Sequence, residues 1–227
     1  MNDLTRALAN SITQETREIT VDLLEVGLDT VLDEGILKDI PILSTAIHVY
    51  QIGNSMKERH YIKKLIAFIS EINRGIEDDE KRDYYKRMIT GNASRRKKEI
   101  EYILLLLDRY IQAEKADMLA KLYLAYLDIK ISWNDLSKYS EVIDRFLPGD
   151  YAVLRSASTY KTEFDRDTDS IQRLIALGLV IEGFRTMAIQ EENGTLSIDP
   201  PELREKSERN YTRTKFGSIL VDILDEI

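Results

Sequence analysis

The chain has 227 residues, 43% of them hydrophobic and 32% charged, which is enough to bury a core and excludes a disordered or collagen-like class. It contains no cysteine, so disulfides, thiolate metal sites and cysteine nucleophiles are excluded, and the expected location is the reducing cytoplasm. A formal charge of −8 disfavours nucleic-acid binding by the surface as a whole and leaves only local basic patches for such a role.

Leu4, Leu8, Ile12, Ile19, Leu23 and Leu28 recur at helical spacing and predict a long amphipathic helix over the first thirty or so residues, ended by Gly35. Polar Asn10, Gln14 and Glu15 follow Arg6 where a secretory signal would be apolar, so no signal peptide is expected. Pro41 opens a short, almost wholly apolar helix over residues 42–52, closed by Gly53. The uncharged stretch from Ile40 to Gly53 is shorter than the roughly 20 residues that a spanning helix needs. From Lys57 to Ile72, the apolar Tyr61, Ile62, Leu65, Phe68, Ile69 and Ile72 mark one helical face, with Arg59, Lys63 and Lys64 opposite.

The acidic run Glu77 to Glu80 marks a helix start, because negative charge complements the dipole there. Ser94 precedes the basic turn Arg95 to Lys98 and the densely apolar Ile103 to Leu107, read as a central core helix. The next helix starts near Lys115 and turns Met118, Leu119, Leu122, Tyr126 and Leu127 to the core. Ser132 and Asp135 have capping-box spacing ahead of Leu136, Tyr139, Ile143 and Phe146, and Pro148 and Gly149 stop that helix. A short helix through Tyr151 and Leu154 leads to the charged stretch Lys161 to Asp169. Two domains are therefore expected, a helical bundle over residues 1–160 and a smaller α+β module over residues 161–227.

In the module, Ile171, Leu174 and Ile175 mark a helix ended by Gly178, and Phe184 to Gln190 has strand propensity. Glu191 to Gly194 supplies a turn before Thr195 to Ile198, Tyr211 to Thr214 returns as an extended segment, and Phe216, Ile219, Leu220, Ile223 and Ile227 form a closing helix. The predicted fold is mainly α, a multi-helix bundle with a C-terminal winged-helix-like module.

Two stretches resemble known families. Residues 33–72, DEGILKDIPILSTAIHVYQIGNSMKERHYIKKLIAFISEI, resemble the opening of a widespread group of uncharacterised bacterial proteins, and no activity comes with that pattern. The segments ADMLAKLYLAYLDIKISWNDLSKYSEVIDRF, IQRLIALGLVIE and YTRTKFGSILVDIL are similar in layout to the Abi-alpha family, a domain linked by name to abortive phage infection. The shared features are a helix pair, then Leu-Gly-Leu, a hairpin and a Thr-x-x-Gly helix. This resemblance implies a bacterial or prophage protein and brings no catalytic residues with it.

The residues themselves point to no catalytic, cofactor or metal site. His48 and His60 lack the spacing and partners of a metal site or a serine triad, and no glycine-rich phosphate loop is present. In a nuclease the acidic run would be held on strand ends, and here it begins a helix. A winged helix would read DNA through the helix around Ile171 to Leu177, yet from Asp199 onward the chain has seven acidic and five basic residues. Two basic clusters remain, Lys57, Arg59, Lys63, Lys64 and Arg95, Arg96, Lys97, Lys98. A solvated helix face is the ordinary reading of each, and if they converge they form a candidate patch for an anionic partner.

The expected function is non-enzymatic action in phage defence or stress through protein contacts, including self-association into a homo-oligomer. The long N-terminal helix and the apolar run Ile103 to Leu107 beside Tyr102 and Tyr110 motivate the latter. The alternatives are a membrane-acting effector that exposes the apolar helix 36–52 to a peripheral bilayer contact, with Lys57 to Lys64 at the headgroups, and a winged-helix DNA-binding regulator.

Overall fold

The computed structural model describes residues 3–13, 40–50, 55–76, 78–91, 93–157, 168–188 and 205–225. These residues are mainly helical, with one two-stranded antiparallel sheet. The chain divides into two compact units, Met1–Asp144 with Ile223–Ile227, and Arg145–Asp222. The boundary expected near residue 160 lies outside the described residues.

The first unit contains α1 (Asp3–Thr13), α2 (Pro41–Tyr50), α3 (Met56–Arg74), α4 (Asp79–Thr90), α5 (Ala93–Arg109), α6 (Glu114–Leu127) and most of α7 (Trp133–Arg145). The continuation of the first helix beyond Thr13 lies outside the described residues. Helix α3 packs on α6, with the Phe68 and Tyr123 rings 6.2 Å apart, and α1 packs on α2. Ser11 Oγ accepts a hydrogen bond from Ile42 N at 2.9 Å, so α1 satisfies one of the donors left open at the start of α2. Ile40, Ile42, Leu43 and Ala46 are fully buried, which is the fate expected of so apolar a helix inside a bundle.

Local signals in the sequence set several helix ends. Asp78 caps α4 by accepting from Lys81 N at 2.8 Å, so the acidic run is a helix start. Asp135 N donates to Ser132 Oγ and Ser132 N to Asp135 Oδ2, both at 3.2 Å, completing the capping box of α7.

The second unit holds a 3₁₀ turn (Pro148–Asp150), α8 (Tyr151–Ser156), α9 (Thr168–Ala176), β1 (Val180–Ala188), β2 (Glu205–Arg213) and the start of α10 (Lys215–Asp225). The strands pair antiparallel in a register running from Val180 opposite Arg213 to Ala188 opposite Glu205. The strand expected to begin at Phe184 therefore begins at Val180, and its described partner is nine residues long where only Tyr211 to Thr214 was expected. Glu205 to Asn210 is too polar for strand propensity to reveal, and cross-strand pairing overrides propensity there. The expected return strand Thr195 to Ile198 lies outside the described residues.

Candidate functional site

The first basic cluster lies on the N-terminal half of α3. Lys57, Arg59 and Lys63 are exposed, and Lys57 Nζ is 4.0 Å from Asp108 Oδ1. Lys64, expected beside them on the wet face, is only 3% exposed. Its Nζ donates to the carbonyl oxygen of Asp108 at 3.0 Å and to that of Tyr110, at the C-terminal end of α5. Burial holds the Lys64 pKa below its ordinary value, against the opposing pull of Asp108.

The second cluster opens α5. Lys98 is exposed, and Lys97 lies 3.6 Å from Glu101. Arg96, 8% exposed, donates from Nε to the Met88 carbonyl at 2.9 Å, and from Nη1 to Glu99 Oε2 at 2.6 Å and the Tyr126 hydroxyl at 2.7 Å. Tyr126 in turn donates to Glu99 Oε1 at 2.8 Å, where Arg95 Nε also donates at 2.8 Å. The Glu99 hydrogen bond leads the causes that raise the Arg95 pKa. Glu99, 3% exposed, thus sits as a buried carboxylate saturated by two guanidiniums and a phenol.

The eight cations do not form one patch. Lys57 meets α5 at Asp108, whereas Arg96 lies twelve residues earlier on the same helix, about 18 Å away at 1.5 Å per residue. Lys64 and Arg96 are withdrawn into the interior, where the negative partner of each includes the C-terminus of a neighbouring helix. Lys115, 7% exposed, does the same: its Nζ donates to the Asp144 carbonyl near the end of α7 at 2.8 Å. All three buried cations therefore supply donors to helix-end carbonyls that have no partner within their own helix, and they complement the helix dipole as they do so. Backbone acceptors have no sequence signature, which is why Lys64 and Arg96 read as surface residues.

The face that remains outward where α3 begins and α5 ends is apolar and charged at once. Met56 is 87% exposed, Ile111 81% and Leu105 69%. Leu105 and Asp108 are one turn apart on α5, and the His60 ring hydrogen-bonds the Ile111 carbonyl, which ties these residues to one end of the unit. A recess of about 220 Å³ at this end is lined by Ser55, Lys57, Glu58, Tyr61 and Asp108.

In the second unit, the motifs behind the Abi-alpha resemblance form one packing joint. Thr214 Oγ1 accepts from Gly217 N at 2.9 Å, capping α10, and donates to the Gly178 carbonyl at 2.8 Å, while Thr214 N donates to the Leu179 carbonyl at 3.0 Å. Gly178 has φ +71°, which a glycine adopts without strain. Arg173, the cation of the would-be recognition helix, forks onto Asp150 at 2.8 and 2.7 Å. That hydrogen-bonded pair depresses the pKa of the buried Asp150.

Among the described residues there is no group of three or more His, Asp or Glu side chains placed to hold a metal ion, and no helix is long and apolar enough to cross a membrane. No protein-family model, curated protein or solved structure matches the chain.

Proposed function

We propose that this is a non-enzymatic bacterial or prophage protein acting in phage defence or stress through protein contacts, and that its first contact is with a second copy of itself. What supports self-association is the exposure of Met56, Leu105 and Ile111, large apolar side chains carried where α3 begins and α5 ends, with Lys57 and Asp108 beside them. A two-fold interface places one patch against the same patch, so it needs a surface that complements itself. Large apolar side chains meet their own kind, and Lys57 and Asp108, 4.0 Å apart within one copy and both more than half exposed, can exchange partners across the two-fold. The setting in phage defence rests on the Abi-alpha resemblance. A winged-helix-like reading of the second unit rests on its order of helix, two paired strands and helix, with the Thr214–Gly217 joint holding the closing helix.

Multi-angle light scattering tests the reading. The expected result is a dimer that becomes a folded monomer in Met56→Glu/Ile111→Glu, its thermal midpoint equal to that of the wild type at high dilution because neither side chain is buried. A wild-type chain that stays monomeric at high concentration overturns self-association.

A further inference from the structure

One concave surface of the first unit is basic, although the chain carries a formal charge of −8. This recess of about 510 Å³ presents Arg74 from the end of α3, Lys81 from α4, Lys121 from α6 and Lys130 from the turn after it, against one lining carboxylate, Asp128. Leu124, Ala125 and Ile223 supply an apolar wall. The volume falls within the roughly 300–1,000 Å³ usual for small-molecule sites.

The fold gathers these cations deliberately. Gly75 lets the end of α3 close on α6, since a Cβ there would lie 2.5 Å from Leu124 Cδ1. After α6 the chain reverses through Ile129 at φ +60°, a left-handed position that glycine normally fills, and Lys130 N donates back to the Ala125 carbonyl at 2.9 Å. The strained Ile129 thereby sets Lys130 at the recess. Arg74 hydrogen-bonds the buried Glu71, which does not line the recess. Lys121 donates to the Leu224 carbonyl at 2.7 Å and lies 3.7 Å from Glu71, while Lys81 lies 3.9 Å from Asp128. The last two ion pairs are longer than hydrogen bonds. Four cations against one lining carboxylate leave the cleft with a net positive charge over an apolar wall, which concentrates small anions.

We propose that this recess binds a nucleoside polyphosphate, with its phosphates among Arg74, Lys81, Lys121 and Lys130 and its nucleoside against Leu124, Ala125 and Ile223. The proposal stands independently of self-association. Isothermal titration of the full chain with ATP, pyrophosphate and adenosine tests it, using wild type, Lys81→Gln/Lys130→Gln and, as a surface control, Lys98→Gln. ATP is expected to bind about tenfold more tightly than pyrophosphate and far more tightly than adenosine, and to weaken about tenfold in the double variant but not in the control. Raising the salt concentration weakens it further. Absence of ATP binding at millimolar concentration and low salt, undiminished binding in the double variant, or pyrophosphate binding as tightly as ATP would each overturn the proposal. Should the double variant fail to fold by circular dichroism, the exposed Lys130→Gln alone decides by the same criteria.

Discussion

Arg96 carries a full charge into the interior of the first unit, and its value there depends on what it meets. Glu99 and the Met88 carbonyl are buried with it, so truncating Arg96 leaves a carboxylate with Arg95, mostly solvent-exposed, as its remaining cation. Arg96→Ala is expected to cost about 3–5 kcal/mol in urea unfolding, and Arg96→Met/Glu99→Met distinctly less than the single change. Equal losses in the two variants would show that packing around the arginine, and not the stranded carboxylate, sets the cost.

Asp117 poses the opposite case. Burial first, and then Glu71, push its pKa up to about 6 from an ordinary value of 3.8. Between those values the folded chain binds a proton that the unfolded chain has released, so stability falls as pH rises from about 4 through about 6. Above pH 6 the ionised carboxylate is a standing cost. Asp117→Asn is therefore expected to stabilise the protein at pH 7 by something on the order of 1–2 kcal/mol, after allowance for solvent screening, and to be nearly neutral below pH 4. Chemical denaturation of both proteins at pH 4 and pH 7 checks this, and a gain of the same size at both pH values would rule out titration of Asp117 as its source.

At the scale of elements, joints are made by single residues without bulk. A Cβ on Gly217 would lie 2.1 Å from the Leu179 carbonyl oxygen and 2.9 Å from its carbon, both backbone atoms that cannot rotate away. Gly217→Ala must move α10 off the start of β1 or break the hydrogen bond from Thr214 N to Leu179. A loss of several kcal/mol follows, against about 1 kcal/mol for Gly178→Ala, where the space is open and only the left-handed backbone resists. Comparing the thermal midpoints of the two variants checks that order. The Leu-Gly-Leu and Thr-x-x-Gly motifs are thus two halves of one close approach. Helix starts follow a different rule. Ser132 with Asp135 and Asp78 with Lys81 satisfy one another three residues apart, so the residues that form each cap are neighbours in the sequence.

For the whole molecule, self-association predicts a thermal midpoint that rises with protein concentration, because only the folded chain pairs. Met56→Glu/Ile111→Glu should remove that dependence while keeping the wild-type midpoint at high dilution, as differential scanning calorimetry over a range of concentrations would show. A midpoint that does not change with concentration in the wild type argues against the dimer.

The sequence by itself determined the helices, most of their ends and most of their buried faces, because helical periodicity and caps are local: Tyr61, Ile62, Leu65, Phe68 and Ile69 are buried as their spacing requires. Leu105, inside the apolar run read as a core helix, is an exception and stands 69% exposed. Tertiary structure alone decided what the cations do. Lys63 and Lys64 are adjacent and chemically identical, yet one faces water and the other caps α5, because a backbone carbonyl acquires its position only when two helices pack. The basic recess has the same origin. Arg74, Lys81, Lys121 and Lys130 are scattered along 57 positions, and no spacing connects them until α3, α4 and α6 bring them around one concavity.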